Sequence, residues 1–130
     1  MEITSWQELG KVPVTILQLK GDLTSNEPLE SRAKAVFQDG ARNLVLDLGQ
    51  VPYISSAGLR AIHIIYSMLK GADPEDEKAA VRDIVQGRYK SPHLKLVNPT
   101  KNAMKALSTA GYDMFLEVHD DVPAAVHSFG

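Results

Sequence analysis

Cysteine is absent from the 130 residues of the sequence. Its absence excludes disulfides, thiolate catalysis and zinc sites that are built on sulfur. Long apolar runs are also absent, since no stretch approaches the roughly 20 unbroken apolar residues that a membrane span requires. Residues 1–11 carry the acidic Glu2 and Glu8 rather than the basic start and apolar run of a secretory signal. We therefore expect a soluble, cytoplasmic protein without direct membrane insertion.

An excess of charge of one sign is lacking too. The 14 basic and 16 acidic residues give a formal net charge of -2. Such a balance produces no field that would attract a polyanion, so nucleic-acid binding is not expected. Hydrophobic residues make up 44% of the chain, which is enough for one core at this length. We therefore expect a single domain that spans residues 1–130.

Motifs of catalysis and cofactor binding are missing. The four histidines, at positions 63, 93, 119 and 127, show neither His-x-x-x-His nor His-Glu-x-x-His spacing, so no metal site is expected. The glycines are not grouped as Gly-x-Gly-x-x-Gly or as a Walker loop, which argues against a dedicated nucleotide pocket. Ser55 and Ser56 do not lie in a Gly-x-Ser-x-Gly elbow. We expect a protein that is not an enzyme and that carries no cofactor.

Hydrophobic periodicity indicates strands that alternate with helices. It predicts strands at 14–19, 43–48, 93–97 and 115–118, an edge strand at 1–6, and helices at 30–38, 56–70, 100–110 and 122–129. Residues 43–48 form a nearly continuous apolar run, which is typical of a strand buried on both faces near the middle of a sheet. The pattern therefore predicts an α/β fold with a mostly parallel sheet covered by helices.

Residues 71–92 interrupt this alternation. Pro74, the acidic residues that follow it, and a basic end at Arg88 and Lys90 are typical of a helix whose charges complement its dipole. We predict an inserted helix near 74–87. Two interpretations remain: a solvated decoration, or an element that selects a partner or forms a homodimer.

Residues 50–60 join the buried strand to the second helix and are the most informative stretch. A serine at a helix start can cap it with its hydroxyl, and this is the simplest role for Ser55 or Ser56. A phosphate on that hydroxyl would be accommodated by the unpaired N–H groups of the helix start, yet would project close to two negative charges. Ala57 and Gly58 are small enough to leave the hydroxyl accessible. One modification could thus abolish partner docking without unfolding the domain.

Residues 44–60, LVLDLGQVPYISSAGLR, resemble the signature of STAS domains, in which a buried strand ending near an Asp is followed by a serine turn and a Gly-Leu helix start. Residues 19–23, 97–99 and 107–112 are similar to further elements of that family. The resemblance implies an STAS-like fold, with a mixed, mostly parallel sheet of four or five strands flanked by about four helices. The insertion at approximately 71–92 is longer than the corresponding link in the family.

The resemblance also implies a partner-switching role as an anti-sigma-factor antagonist. The unphosphorylated protein would bind a serine kinase that is also an anti-sigma or other regulatory factor, and would set free the usual client of that factor. Phosphorylation by the kinase would end the binding, and a PP2C-type phosphatase would restore it. The alternative is an STAS scaffold subunit that is not phosphorylated and belongs to a stress-signalling complex or to a lipid or anion transporter.

Site residues follow from the same resemblance. Many phosphorylated members have Asp-Ser-Ser or Asp-Ser-Thr before the glycine, whereas this chain has Ser55, Ser56 and Ala57. Ser56 is therefore the first candidate for phosphorylation and Ser55 the second. The implied partner-binding residues are Asp22, Ser55, Ser56, Ala57, Gly58, Leu59 and Arg60.

Two aspartates are expected near one edge of the sheet. Asp22 would either position the serine or face the magnesium and nucleotide of the kinase, or it would accept loop N–H bonds. For Asp47 we favour the structural role.

Overall fold

The described residues form five strands and five α-helices, which alternate except that β2 follows β1 and α3 follows α2. The computed structural model describes residues 1–85 and 89–130, except for the side chains of 83–85. The strands are β1 Glu2–Leu9, β2 Pro13–Lys20, β3 Leu44–Gln50, β4 Leu94–Val97 and β5 Glu117–His119. The helices are α1 Glu27–Gln38, α2 Ser56–Gly71, α3 Pro74–Val85, α4 Lys101–Thr109 and α5 Val122–Ser128, with a short 3₁₀ helix at Tyr112–Met114. The predicted alternation, including the edge strand at the beginning, is confirmed.

The strands form one sheet in the order β1-β2-β3-β4-β5. β1 runs antiparallel to β2, and the remaining neighbours are parallel. β3 is the middle strand, as its apolar run predicted. Because right-handed crossovers between sequential parallel strands all lie on the same side, α1, α2 and α4 share one face of the sheet.

Both faces of β3 are buried. Leu44, Leu46 and Leu48 point into the larger core, where they pack with helix residues such as Ile62. Val45 points the other way, into a smaller core beneath α5. Burial on both faces explains why this strand reads as a continuous apolar run rather than as an alternating one.

The inserted helix is confirmed as α3 over Pro74–Val85. The expected residues 86–87, and the basic Arg88 that was expected to close the helix, lie outside the described residues. Ala80 is buried in the larger core, while Val81 is 72% exposed. The helix therefore packs one face on the domain and leaves another open, and both interpretations of the insertion remain.

Some predicted boundaries were wrong by a few residues. The first helix begins at Glu27 rather than at residue 30, because Pro28 is tolerated in the first turn of a helix. The last strand begins at Glu117 rather than at residue 115. Gly111 adopts a φ of 82° and starts the 3₁₀ turn, and the Leu116 N–H then donates to the Tyr112 carbonyl at 3.0 Å. The apolar residues at 115–116 are thus used by the turn and not by the strand.

Among the described residues, no helix has the length and apolar character needed to cross a membrane.

Candidate functional site

Ser55, not Ser56, caps α2. Its backbone is extended, with φ -86° and ψ 176°, while Ser56 is the first helical residue. The Ser55 hydroxyl accepts a hydrogen bond from the Gly58 N–H at 3.2 Å and donates to the Leu23 carbonyl at 3.4 Å. The Ser55 hydroxyl therefore acts both as a donor and as an acceptor, and both bonds hold the helix start in place.

Ser56 lies beside that cap and is exposed. Its hydroxyl makes no hydrogen bond within residues 1–85 and 89–130. The two candidate serines thus differ physically, because one hydroxyl is engaged in the fold and the other is available to solvent.

Gly58 allows the helix start to lie against a second loop. A Cβ at this position would come within 2.3 Å of the Leu23 carbonyl oxygen, a distance that no real side chain tolerates. Leu23 forms a parallel bridge with Ile54, and its carbonyl also accepts the Ser55 N–H at 2.9 Å. The loop after β2 and the loop after β3 are therefore joined at the point where α2 begins.

Asp22 and Asp47 lie in different places relative to α2. Asp22 is exposed and immediately precedes Leu23, so it lies beside the start of α2. Asp47 lies within β3, where strand alternation places it on the face of Val45, away from α2. Its carboxylate accepts the Gly49 N–H at 3.0 Å and the Gln18 side-chain amide at 3.3 Å. The expectation that both aspartates lie near the same edge was therefore wrong for Asp47, whereas its favoured role as an acceptor of loop N–H bonds matches this geometry.

Ser56 lines two grooves. The first, between α1 and α2, has a volume of about 610 Å³ and is lined by Asn26, Glu30, Ser56, Ala57, Arg60 and Ile64. The second, between α2 and α4, has a volume of about 450 Å³ and is lined by Tyr53, Ile54, Ser56, Leu59, Asn102, Lys105, Ala106, Thr109 and Ala110. We call these the α1/α2 groove and the α2/α4 groove. Ser56 lies between the two grooves, and we call this position the serine ridge.

Two hydrogen bonds set the width of the α2/α4 groove. The Thr100 hydroxyl, which caps α4, donates to the Val51 carbonyl at 2.7 Å. The Tyr112 hydroxyl donates to the Leu59 carbonyl at 2.9 Å. Because both bonds connect segments about 50 residues apart, α4 is held at a defined distance from α2.

Charges of both signs surround the serine. Arg60 and Lys105 are exposed and bring positive charge to one groove each. Glu30 is held by the Lys34 ammonium at 2.8 Å. The hydrogen bond from Lys34, then that from Asn26 and a smaller contribution from Arg60, lower the pKa of the Glu30 carboxyl below its usual value. The α1/α2 groove therefore carries a carboxylate that stays ionised at neutral pH.

Sequence reasoning did not single out Tyr53 and Lys105. Tyr53 is 52% exposed beside the serine ridge, and Lys105 comes from α4, far along the chain. Exposed tyrosines are common anchors of protein interfaces. Neither residue carries a local signal, because only the approach of α4 to α2 puts them in the same groove.

The described residues contain no cluster of three or more His, Asp or Glu side chains that could hold a metal ion. The chemistry offered at the start of α2 is that of a surface hydroxyl flanked by two docking grooves.

The family model of the STAS domain matches residues 7–73, which is more than half of the chain. The chain belongs to the STAS domain family. The matched region of this STAS protein runs from β1 through α2 and ends just before α3.

Relatives of this STAS protein are anti-sigma factor antagonists. It is 31% identical over 84 residues to BtrV of Bordetella bronchiseptica, which carries that name, and the match covers 65% of this chain and 72% of BtrV. The crystal structure of an anti-sigma factor antagonist from Mycobacterium paratuberculosis superposes with a TM-score of 0.67 at 21% identity, covering 96% of this chain and 92% of that one.

The cell fate determinant SpoIIAA of Bacillus, solved in its phosphorylated form, has a TM-score of 0.55 at 16% identity, covering 93% of this chain and 96% of that one. At such identities the two structures show the fold alone. They confirm the expected STAS-like arrangement, with one antiparallel edge strand on an otherwise parallel sheet.

Proposed function

We propose that the chain is a partner-switching anti-sigma-factor antagonist that is controlled by phosphorylation of Ser56. The observation that carries this proposal is the exposed hydroxyl of Ser56 on the ridge between two grooves. A surface hydroxyl that makes no hydrogen bond to the described residues can be modified without loss of any contact seen there. A modification at this position changes both grooves at once.

Ser56 is preferred to Ser55 on the same geometry. Phosphorylation of Ser55 would remove the hydroxyl that bonds Gly58 and Leu23, so it would loosen the start of α2. Phosphorylation of Ser56 would leave the cap in place. The phosphate would meet the positive end of the helix dipole and the nearby Arg60, which lies one turn further along α2.

The effect of the phosphate would fall on the partner rather than on the fold. It adds about two negative charges at pH 7. In the α1/α2 groove those charges would join the ionised Glu30. A partner surface that complements the unmodified grooves would then lose both its fit and its charge balance, since desolvated like charges are costly at an interface.

The partner is a serine kinase that is also an anti-sigma or other regulatory factor, and a PP2C-type phosphatase reverses the modification. The name of BtrV and the phosphorylated form of SpoIIAA support this assignment. The chain itself acts by binding in the cytoplasm and has no catalytic role. Residues 1–130 act as one STAS domain with an insertion at 71–92.

The proposed partner-binding residues divide by role. Ser55 and Gly58 build the site, because their contacts with Leu23 fix the helix start. Asp22, Ala57, Leu59 and Arg60 surround Ser56 and are available for contact, together with Tyr53 and Lys105.

The test combines phosphosite mapping with binding. Protein isolated from its native cells is digested, and the peptide containing Ser55 and Ser56 is sequenced by mass spectrometry. Ser56→Ala and Ser56→Asp are then compared in pull-downs of the kinase. We expect phosphate on Ser56, retained binding by Ser56→Ala and lost binding by Ser56→Asp.

Ser67 offers a matched control, because it is also an exposed serine of α2 but lies about three turns from the ridge. Ser67→Asp should bind like the wild type. Equal binding by Ser56→Ala and Ser56→Asp would contradict the switch. An unmodified peptide under several growth conditions, together with a partner that co-purifies at fixed stoichiometry, would instead support a constitutive scaffold subunit.

A further inference from the structure

A separate cavity lies at the opposite end of α2 from Ser56. His63, Tyr66 and Lys70 are spaced by three and four residues and therefore share one face of the helix. The facing wall is formed by Tyr89 and by the turn that contains Gly111, Met114 and Phe115. The cavity has a volume of about 420 Å³, within the range of about 300–1,000 Å³ that is usual for small-molecule sites. We call it the α2 pocket.

The walls of the α2 pocket are aromatic and held in place. The Tyr66 ring lies 4.8 Å from the Phe115 ring and 6.4 Å from the Tyr89 ring, measured between centroids. Tyr66 and Tyr89 are only 5% and 4% exposed. The Tyr89 hydroxyl is fixed by a hydrogen bond to the Asp76 carboxylate at 2.7 Å. The ring faces are therefore arranged before any ligand arrives, which lowers the entropic cost of binding.

The mouth of the pocket is basic. The Lys70 ammonium lies 5.0 Å from the centroid of the Tyr66 ring, and it forms no ion pair within the described part of the chain. His63 is the other basic side chain among the described residues of the lining. These described residues include no carboxylate, although Glu77 approaches the end of α2 at Gly71.

Two described acids near the pocket accept hydrogen bonds from hydroxyl groups of the domain, although Asp76 Oδ2 is buried and has no partner among the described residues. Asp76 accepts the Tyr89 hydroxyl from behind the wall, and Asp113 accepts the Ser108 hydroxyl at 3.1 Å. Lys70 forms no ion pair within the described residues, so an anion at the mouth would compete only with its contact to the Tyr66 ring.

We propose that the α2 pocket binds a small planar aromatic carboxylate. The ring would lie against Tyr66 and Phe115, where aromatic groups pair favourably. The carboxylate would pair with the Lys70 ammonium, since charge-assisted hydrogen bonds are stronger than neutral ones. The exposed Met114 at the lip would cover the edge of the ring with a flexible apolar side chain. This proposal does not depend on phosphorylation of Ser56, because the two sites share α2 but no residue.

Two probes that differ only in charge test this assignment. Indole-3-acetate and its neutral amide, indole-3-acetamide, are titrated into the full-length protein and followed by backbone amide NMR. We expect the acid to perturb the residues around Tyr66 and Phe115 and to bind about tenfold more tightly than the amide, a difference that corresponds to one charge-assisted contact.

Replacement of Lys70 by glutamine tests how much its positive charge contributes to the affinity for the acid. Lys70→Gln should reduce the affinity for the acid about tenfold and leave that for the amide unchanged, so that the preference disappears. Lys20→Gln, at an exposed position outside the pocket, is the control and should keep the preference. The NMR spectrum of each variant reports whether the fold is retained.

Three results would overturn the proposal. The first is a lack of saturable shifts at the pocket with either probe. The second is equal affinity of the wild type for acid and amide. The third is an acid preference that survives in a folded Lys70→Gln variant.

Discussion

His93 and Asp73 connect the inserted helix to the sheet. The imidazole Nε2 of His93 lies 2.7 Å from the Asp73 carboxylate, and its Nδ1 lies 2.8 Å from the side-chain oxygen of Asn43. Asp73 also accepts the Glu75 N–H at 3.0 Å at the start of α3. One side chain just before β4 therefore reaches both the segment before β3 and the first turn of the insertion.

This contact predicts a pH-dependent contribution to stability. The hydrogen bond from His93 is the main cause that lowers the pKa of the Asp73 carboxyl below its usual value. Since the folded value lies below the unfolded one, the stabilisation is complete above the unfolded value, about 3.9, and is lost as the pH falls through the folded value. Asp73→Asn should therefore be less stable than the wild type near pH 7.

The gap in melting temperature between the wild type and Asp73→Asn should narrow as the pH is lowered toward about 3. Asp39→Asn, at an exposed position at the end of α1, serves as the control and should follow the wild type throughout. A difference in melting temperature that stays constant between pH 7 and pH 3 would show that Asp73 contributes to stability through its shape and not through its charge.

Gly58→Ala should destabilise the domain. The new methyl group would lie 2.3 Å from the Leu23 carbonyl oxygen, so either the helix start or the loop after β2 must move. Overpacking of this kind costs about 1–3 kcal/mol, measurable by urea unfolding. Gly71→Ala is the matched control on the same helix, because the nearest atom to its Cβ is 4.0 Å away, and it should be neutral or slightly stabilising. Equal stability of the two variants would contradict the close approach.

Ser55→Ala and Ser56→Ala should differ in stability. Ser55 is the N-cap, and loss of such a cap costs about 1 kcal/mol. Ser56 makes no hydrogen bond to the described residues, so Ser56→Ala should change the free energy of unfolding by less than about 0.5 kcal/mol. Chemical denaturation of both variants decides the point. A larger loss for Ser56→Ala than for Ser55→Ala would reverse the assignment of the cap.

Lys95→Met should loosen α5. Lys95 is only 2% exposed, and its ammonium donates to the Ser128 carbonyl at 3.1 Å and to the Ser128 hydroxyl at 2.8 Å. It also pairs with Glu117 at 3.3 Å. Loss of these contacts removes the bond that holds the end of α5 on the sheet, at a cost of about 1.5–3 kcal/mol.

Hydrogen exchange of the α5 amides measures the effect of Lys95→Met. Exchange should become faster in α5 and stay unchanged in α2. Lys101→Met, at an exposed position in α4, is the control. Unchanged exchange in α5 of Lys95→Met would show that the apolar contacts of Phe129 and Val126 alone hold this helix.

Several features of the fold could be predicted from the sequence because their signals are local. The apolar run at 43–48 indicated a central strand, since a strand buried on both faces has no polar side. Gly40 and Gly111 have φ values of 106° and 82°, which glycine adopts readily, and each lies two residues after the end of a helix, α1 and α4. The serine turn and the Gly-Leu helix start lie within residues 44–60, whose resemblance to the STAS signature indicated the family.

The tertiary structure alone decided how the two serines differ. Local sequence cannot tell which of Ser55 and Ser56 is the cap, because the choice depends on the Leu23 carbonyl, which lies 32 residues earlier in the chain. The face on which Asp47 lies is decided by the pairing of β3 within the sheet.

The sequence alone determined the order and type of the helices and strands, because periodicity and capping signals depend on residues that are close together along the chain. The serine ridge and the α2 pocket are each built from segments that are distant in sequence. Tyr53 and Lys105 share a groove, and Lys70 meets the turn at Gly111, only because parallel strands bring their crossovers to one face of the sheet. The physical reason is that the width of a groove is the distance between two helices, and the packing of both helices on the sheet sets that distance.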